Sequence, residues 1–451
     1  MPTTTAANTD TVVAQRPALL GGPPALDPAT VPDDLFTWPI ITEEDEQAVL
    51  EVLHSGRMSG FDVTNQFEAE FAEWQGVDYA LAHNTGTGSI QAALYALGVR
   101  AGAEVVCQST TYWASCGPAL SLGATVRFAD IDPDTLCIDP ADLERRLTPR
   151  TKVVVVVHYC GHPADMDAVL AVTEPRGIAV MEDVSHAHGA LYRGRKVGTF
   201  GAVAAMSVMS GKALPAGEGG VMVTDDRAIY ERALAWGHYS RGQRELTDPD
   251  LVRSSGIALG GYKYRMQQLN AAIGRGQLRH FDDREREIRS AMNRFWDLLD
   301  DCPGIRGHRV DEATGSTMGG WYNPHGLYAA EELGGLSLTR FLDALAAEGV
   351  GRLGAGINMP LHLHPLFRDV DVYGRGAPTN AHATDDLPVA EGIHARTFHV
   401  PWFKHDRADV IERYAMAFRK VIAHADELRA GDTGNPPGFG MWPGLKPPAG
   451  S

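Results

Sequence analysis

The segment 151–158 contains five consecutive valines, at positions 153–157. β-branched residues favour extended backbone, and an apolar run without polar alternation is typical of a strand that is buried on both faces. Such a strand needs a layer of structure on each side of its sheet. The run therefore predicts a sheet covered by helices on both faces, which is the α/β class of fold.

Apolar runs and helical patterns alternate on both sides of this segment, as they do in a parallel sheet whose strands are connected by helices. The predicted strands are 79–82, 104–107, 125–128, 151–158, 178–183, 202–207 and 221–223. The predicted helices are 42–50, with Thr42 as its N-cap, a segment from about residue 63, 90–97 and 336–350. The carboxyl ends of such strands usually bound the ligand-binding crevice, so the loops there are the candidates for function.

The pattern changes at about residue 290, beyond which the helices lengthen. We expect a large α/β domain over residues 17–290 and a smaller α+β domain over residues 291–430. Residues 1–16 are rich in Thr and Ala without periodicity, which predicts a disordered N-terminal tail. Residues 431–451 are rich in Pro and Gly, which predicts a flexible C-terminal tail.

Charge and composition exclude several classes of protein. The chain has 40 Lys and Arg against 57 Asp and Glu, a net charge of −17, which argues against nucleic-acid and anionic-membrane partners. It has no apolar run near the ~20 residues of a membrane span and no signal-peptide pattern, so we expect a soluble, cytoplasmic protein. Its five cysteines are widely spaced without a C-x-x-C pair, which favours free thiols over disulfides or a zinc site.

Two loops at predicted strand ends offer groups that bind ligands. The loop 84–89, Asn-Thr-Gly-Thr-Gly-Ser, connects a strand to a helix, so its N–H groups can face a phosphate, although an ordinary capping turn fits equally well. Asp183 directly follows a buried strand, where a carboxylate can meet the cationic nitrogen of a ligand. His186 and His188 follow at a spacing that is no established zinc pattern, so we predict no metal.

A third loop, 206–220, holds a single lysine, Lys212, among small and apolar residues. Crowding lowers the pKa of an amine and frees it as a nucleophile for Schiff-base chemistry, whereas a lone lysine is more often a surface charge. Together with Asp183 and the phosphate loop, however, Lys212 completes the set that pyridoxal phosphate requires. In that chemistry the carboxylate keeps the ring nitrogen protonated, and the lysine amine moves the proton that the substrate loses.

The sequence resembles the DegT/DnrJ/EryC1/StrS family of pyridoxal phosphate-dependent sugar and cyclitol aminotransferases, from about residue 38 to about residue 421. The motifs that carry the resemblance are 85–87, 182–189, 193–198, 211–220 and 261–266 before 270–272. The resemblance implies fold type I of these enzymes, aspartate aminotransferase-like, with a large, mainly parallel seven-stranded sheet domain and a smaller α+β C-terminal domain. It also implies a homodimer with shared active sites.

The same resemblance implies roles for individual residues. Lys212 would bond covalently to pyridoxal 5'-phosphate, and Asp183 would pair with the ring nitrogen. His186 falls at the His/Gln position beside the ring and joins these two in the catalytic set. The residues implied to hold the phosphate are Gly86, Thr87 and Ser207.

Further residues complete the implied cofactor site. Tyr112 falls where the family stacks an aromatic ring on the cofactor, with the neighbouring Trp113 as the alternative and core packing as a third interpretation. Lys263 lies in the segment that reaches the cofactor of the partner subunit, where many members carry Asn. A lysine can still serve a phosphate there as a point charge.

The segments 358–367 and 400–405 resemble the cyclitol branch, which uses L-glutamine and a keto-inositol such as scyllo-inosose. His362 and His364 are predicted to bond substrate hydroxyls, with loop packing as the alternative. The expected function is amino transfer from L-glutamine or L-glutamate to a keto-cyclitol in aminoglycoside-type natural-product biosynthesis. The alternatives are a nucleotide-keto-sugar aminotransferase, a 3-amino-5-hydroxybenzoate synthase-like dehydratase and a cofactor-binding regulator without catalysis.

Overall fold

A computed structural model of the chain describes residues 11–238, 240, 241, 245–377, 379, 380, 386–440 and 442. The predicted tails lie outside these residues at 1–10, 441 and 443–451. The described parts of both predicted tails have defined structure. In the N-terminal one, residues 11–13 are helical. In the C-terminal one, Asp432 accepts hydrogen bonds from the N–H and hydroxyl of Ser337 at 2.7 and 2.6 Å. Trp442 Nε1 donates to the Pro360 carbonyl at 2.8 Å.

The large sheet has the seven strands that the sequence predicts, and each end agrees within one residue. Its strands are β1 (Tyr79–His83), β2 (Glu104–Gln108), β3 (Thr125–Ala129), β4 (Thr151–Val157), β5 (Ala179–Asp183), β8 (Val203–Ser207) and β9 (Gly220–Thr224). They lie in the order β1-β9-β8-β5-β4-β2-β3, and all neighbours are parallel except β9, which is antiparallel to both β1 and β8. The prediction of a mainly parallel sheet is confirmed.

Helices cover this sheet. The predicted capping of the first of these helices is confirmed: Thr42 Oγ1 accepts from the Asp45 N–H, and the Asp45 carboxylate accepts from the Thr42 N–H. The helices up to residue 300 are Glu43–Ser55, Asp62–Gln75, Gly86–Ala96, Pro118–Ser121, Pro140–Arg146, Met166–Thr173, Arg227–Gly237, Pro249–Arg253, Gln268–Arg279 and Phe281–Asp297. In the part of the chain that the structure describes, no helix has both the length and the apolar character needed to cross a membrane.

A second, antiparallel sheet and its own core lie in the C-terminal part of the chain. The strands β10 (Ile305–Gly307), β11 (His325–Tyr328), β12 (Gly354–Ala355) and β13 (Thr397–His399) have the order β10-β11-β13-β12. A small hairpin, β6 (Leu191–Tyr192) and β7 (Arg195–Lys196), stands apart. The remaining helices are Leu338–Ala347, Pro365–Arg368, Pro388–Gly392, Ala408–Ala423 and Ala425–Arg429.

The buried apolar side chains form two clusters. One surrounds the large sheet, and the other packs the helices of the C-terminal part around residues such as Phe341 and Phe418. Leu26 and Leu35, from the N-terminal segment, belong to the second cluster, while Phe367 and Ile393 belong to the first. The domain boundaries at 17–290 and 291–430 stay a prediction, since both clusters recruit side chains from across residue 290.

The sheet register brings several chain segments to one edge. Gly220, the first residue of β9, pairs with His83 at the end of β1 and with Ser207 at the end of β8. Asp183 ends β5, next to β8. The loops that follow β1, β5 and β8 therefore open at the same edge, where a ligand can contact all three.

Candidate active site

A cleft of about 500 Å³ opens at this edge of the large sheet. It brings together the predicted residues Gly86, Thr87, Tyr112, Asp183, His186, Ser207 and Lys212. The other lining residues are Thr85, Ile90, Thr111, Ala114, Ser115, Val157, Ser185, Met209, Glu218, Tyr322, Asn323 and Asn358.

The N-terminus of the helix Gly86–Ala96 forms one end of the cleft. Thr85 caps the helix, accepting from the Gly88 N–H at 2.9 Å through its hydroxyl and from the Ser89 N–H at 3.1 Å through its carbonyl. The N–H groups of the first two helical residues, Gly86 and Thr87, have no acceptor within the helix and can bind a ligand in the cleft. A Cβ on Gly86 would lie 2.6 Å from Cβ of Ser207, and a Cβ on Gly220 would lie 2.4 Å from the Thr85 carbonyl oxygen. The two glycines therefore let β8, β9 and the helix approach closely enough to build an anion site.

Replacing Gly86 by alanine is expected to weaken cofactor binding about 10- to 100-fold, because the new methyl group displaces the helix N-terminus from Ser207. Overpacking of this kind costs about 1–3 kcal/mol, and each 1.4 kcal/mol is about a factor of ten in Kd. Titration of the cofactor-free protein with pyridoxal phosphate measures the effect. Gly351→Ala is the matched control, since its Cβ would meet no atom within 4 Å. Equal affinities for the two variants would contradict the steric argument.

Asp183 is a buried carboxylate, 3% exposed, at the end of β5. Its Oδ2 accepts from the Ser115 hydroxyl at 2.7 Å, and its Oδ1 accepts from the Ser185 N–H at 3.0 Å. The Ser185 hydroxyl accepts in turn from the Ser207 N–H at 3.0 Å. These bonds fix the carboxylate in one orientation, at a depth where a ligand cation gains strongly from a charged partner.

Lys212 lies in the same cleft, 8% exposed. Burial lowers the pKa of its amine to about 8, and the attraction of Asp183 opposes this shift. Its Nζ lies over the ring face of Tyr322, 4.0 Å from the centroid, and its backbone carbonyl accepts from Trp38 Nε1 at 2.8 Å. The amine is therefore held at one place and is partly neutral near pH 7, as a nucleophile requires.

His186 packs between two tyrosines, 5.3 Å from the ring of Tyr159 and 4.7 Å from the ring of Tyr322. Its Nδ1 accepts from the Cys160 N–H at 3.4 Å, which assigns the ring proton to Nε2. Burial, followed by the charge of Lys212, holds the pKa of His186 well below its usual range. The imidazole is neutral, so it presents a flat uncharged ring to the cleft.

Buried histidines also predict how the stability of the protein depends on pH. Burial lowers the pKa of His188 to about 3, that of His162 to about 4 and that of His308 to about 3, against 6.5 for an exposed imidazole. Below pH 6.5 the unfolded chain binds protons that these folded histidines do not. The free energy of unfolding should therefore fall as the pH drops from 6.5 to 4, by about 1 kcal/mol per pH unit for each such histidine.

Urea unfolding followed at pH 7.5, 6.0 and 5.0 measures this effect, and His308→Gln is the comparison variant. Removing one of these imidazoles should make the slope of stability against pH shallower in this range. A free energy of unfolding that stays constant from pH 7.5 to 5.0 would contradict the prediction.

Tyr112 and Trp113 differ in their relation to the cleft. Tyr112 lines it and is 50% exposed, so it does not serve core packing in the described chain. Trp113 is exposed to a similar degree but lies outside the lining, with its ring 5.2 Å from that of Tyr112. The geometry thus favours Tyr112 as the ring that can cover a bound ligand.

Three predicted site residues lie outside this cleft. Lys263 is exposed, and its carbonyl accepts from the Asn84 side chain at 3.4 Å. His362 is buried, with Nδ1 bonded to the Ser109 hydroxyl at 2.7 Å and Nε2 to Glu391 at 3.1 Å.

His364 accepts from the Leu366 N–H at 3.1 Å and packs edge-on against Trp442. Hydrogen bonds and ring packing within the chain engage both side chains, which fits the alternative of loop packing. The role of His362 and His364 in substrate binding stays a prediction.

Four polar residues of the cleft were not predicted from the sequence: Thr111, Ser115, Tyr322 and Asn323. Asn358 begins the predicted segment 358–367, although the sequence did not assign it to this cleft. Ser115 follows Tyr112 by three residues, and a hydroxyl so close to a predicted site residue was the available signal. Tyr322 and Asn323 come from the C-terminal part of the chain, and no local pattern connects them to Asp183 or Lys212.

Comparison with known proteins places this site in a family. The model of the DegT/DnrJ/EryC1/StrS aminotransferase family matches residues 39–418, which is most of the chain. The chain belongs to this family. As the resemblance implied, the protein is a pyridoxal phosphate-dependent aminotransferase of fold type I.

Individual relatives align with most of this chain and with nearly all of their own length. The L-glutamine:2-deoxy-scyllo-inosose aminotransferase of Streptomyces kanamyceticus is 34% identical over 417 residues, 87% of this chain and 95% of that protein. The spore coat polysaccharide biosynthesis protein SpsC of Bacillus subtilis is 32% identical over 405 residues, 87% of this chain and 97% of that protein. The solved aminotransferase from Psychrobacter cryohalolentis has a TM-score of 0.75 at 27% identity, over 86% of this chain and 99% of that one.

Proposed function

We propose that this aminotransferase moves an amino group from L-glutamine to a keto-cyclitol of the scyllo-inosose type. The relative from Streptomyces kanamyceticus, whose name states a reaction of this kind, supports the proposal. The main observation in its favour is that few of the described side chains lining the cleft are charged. A natural-product pathway of the aminoglycoside type is the context that this reaction fits.

The described lining residues that carry charge are Asp183, Lys212 and Glu218, so Lys212 is the one cation among them. A nucleotide-linked sugar would bring a diphosphate, which needs cationic partners. A keto-cyclitol is uncharged and needs hydrogen bonds to its hydroxyl groups. The tyrosine and amide side chains of Tyr322, Asn323 and Asn358 can supply such bonds, which favours the cyclitol.

The residues of the cleft fit the cofactor of the family. Lys212 would bond to its aldehyde, and Asp183 would hold a proton on its ring nitrogen. The helix N-terminus at Gly86 and Thr87, with the Ser207 hydroxyl, would bind its phosphate. Tyr112 and His186 lie on the lining where flat side chains can enclose a ring. When bound, the cofactor supplies an electron sink for the bond that is broken at the amino-bearing carbon.

The chain's own task in this chemistry is proton transfer. A base near its working pH is the most effective, and burial brings the pKa of Lys212 to about 8. Asp183 stays fixed by Ser115 and Ser185, so its charge can stabilise a protonated ring nitrogen without reorganising. In the first half-reaction Lys212 would accept the proton from the amino-bearing carbon of the donor and pass it to the cofactor. In the second it would deliver a proton to the former carbonyl carbon of the acceptor, at the same site.

We also propose that the functional unit is a homodimer in which Lys263 reaches the partner subunit's cofactor phosphate. The exposed position of the Lys263 side chain supports this role, since it leaves the charge free for a second chain. Exposed apolar side chains near this segment support it as well: Ile257, Leu259 and Tyr262.

The visible absorption spectrum of the purified protein tests the function. L-Glutamine should bleach the band of the lysine-bound cofactor, and adding scyllo-inosose should restore it as the amino group is transferred. Restoration only by a nucleotide-linked keto-sugar would overturn the cyclitol assignment. A band that ignores L-glutamine would overturn the proposed donor, and release of an aromatic product would support the dehydratase alternative instead.

A further inference from the structure

The segment 318–324 carries Tyr322 from the C-terminal part of the chain into the cleft of the large sheet. The face of its ring lies 4.0 Å from Lys212 Nζ, measured to the centroid. The same ring lies 4.7 Å from the ring of His186. Tyr322 thus contacts two residues of the proposed catalytic set, although nothing in the local sequence marks it.

The backbone of this segment is strained and tightly packed. Gly320, Trp321 and Asn323 have φ values of 56°, 53° and 55°, and for a residue with a side chain this left-handed region costs about 1–2 kcal/mol. A Cβ on Gly319 would lie 2.5 Å from the backbone of Ala187, so the segment 318–324 packs directly against the loop that contains His186. Strain of this kind persists only where surrounding contacts impose it, and it concentrates at functional sites.

Trp402 packs against the ring of Tyr322, and further side chains pack against Trp402 in turn. Trp402 meets it edge-on, with centroids 5.9 Å apart and an interplanar angle of 89°. Trp38 packs on Trp402 at 5.6 Å and donates to the Lys212 carbonyl, so one assembly fixes both the backbone of Lys212 and the ring beneath its amine. Lys404, 3% exposed, lies against the face of Trp402 and completes this assembly.

An ammonium group over the face of an aromatic ring is stabilised by the negative charge of the π system. Lys212 Nζ makes no hydrogen bond to any residue that the structure describes, and the attraction of Asp183 acts alongside the ring contact. Burial alone would make the protonated amine unfavourable here. The ring face therefore offsets part of the desolvation of the ammonium form.

We propose that Tyr322 is a positioning residue for Lys212, whose ring face holds the protonated amine in place whenever that amine is not bonded to the cofactor. This inference rests on the proposed role of Lys212 as the proton carrier. The ring acts through its face, so the phenolic hydroxyl is not required. Loss of the ring should destabilise the ammonium form, whereas loss of the hydroxyl alone should not.

The test measures the pKa of Lys212 in the full-length, cofactor-free protein from the pH dependence of its acetylation, with peptides resolved by mass spectrometry. In Tyr322→Leu the pKa of Lys212 should fall by about 0.4–1.5 units, since a cation–π contact contributes about 0.5–2 kcal/mol and 1.36 kcal/mol corresponds to one unit. In Tyr322→Phe it should stay unchanged. Exposed Lys152 in the same samples is the internal reference, and circular dichroism verifies folding.

The sign of the shift separates this role from simple space filling. If Tyr322 only excluded water, Tyr322→Leu would admit water and raise the pKa of Lys212, so a rise or no change overturns the inference. An equal fall in Tyr322→Phe would overturn it too, because the hydroxyl would then be responsible. Borohydride reduction of the holoenzyme tests the proposed function separately: a pyridoxyl group missing from Lys212 refutes that function whatever the acetylation data show.

Discussion

Replacing Lys212 by alanine is expected to lower turnover by about 10⁴-fold or more, because the variant loses both the amine that bonds to the cofactor and the proposed proton carrier. Burial brings the pKa of this amine to about 8, so roughly a tenth of it is neutral at pH 7, far more than of an ordinary lysine. No other lysine lines the described cleft, so none can substitute for it.

Steady-state amino transfer, together with the visible absorption spectrum, measures this loss. The band of the lysine-bound cofactor should be absent from Lys212→Ala even with excess cofactor. Lys152→Ala is the matched control, since it removes an exposed lysine from β4 and should leave both turnover and spectrum unchanged. A Lys212→Ala protein with substantial turnover would remove this residue from its proposed role.

Replacing Asp183 by asparagine is expected to lower kcat by about 10²–10³-fold with the fold intact. Asparagine preserves the shape of the side chain but removes its buried negative charge, which is aimed at the position of a developing charge in the reaction. The neutral amide also cannot accept from both Ser115 and Ser185 through two equivalent oxygens, as Asp183 does.

Ser115→Ala provides a graded comparison, because it removes one hydrogen bond at 2.7 Å and keeps the charge. Its effect should be about 10- to 100-fold and smaller than that of Asp183→Asn, in line with about 1.5–3 kcal/mol for a hydrogen bond to a charged group. Kinetics of both half-reactions in the two variants separate the contributions of charge and orientation. Wild-type turnover in Asp183→Asn, or an equal loss in the two variants, would contradict the importance of the charge.

The strands and the starts of the first two predicted helices could be predicted closely because their signals are local. Five successive valines in β4 have few alternatives to a strand buried on both faces, and Thr42 with Asp45 specifies a helix start through side chains three residues apart. The antiparallel direction of β9 between β1 and β8 could not be predicted in this way. Strand direction depends on pairing with β1 and β8, which are distant in sequence.

The part of the cleft on the loops after β1, β5 and β8 was predictable for a related reason. Parallel strands place their carboxyl ends at a common edge, so the motifs in these three loops were expected to meet there. This reasoning found Gly86, Asp183 and Lys212. The contacts of His362 with Ser109 and of His364 Nδ1 with the Leu366 N–H could not be predicted, because they depend on how this loop folds against the rest of the chain.

By itself, the sequence determined an α/β sheet with a lysine, a carboxylate and a phosphate loop at one edge. These features depend on backbone preference and hydrophobic pattern over short stretches. Only the tertiary structure decided that Ser115 fixes Asp183, and that Tyr322 lies beneath Lys212 with Trp402 behind it. Such contacts join residues 68 to 110 positions apart in the sequence, and their geometry is set by the packing of two cores rather than by any residue's own preference.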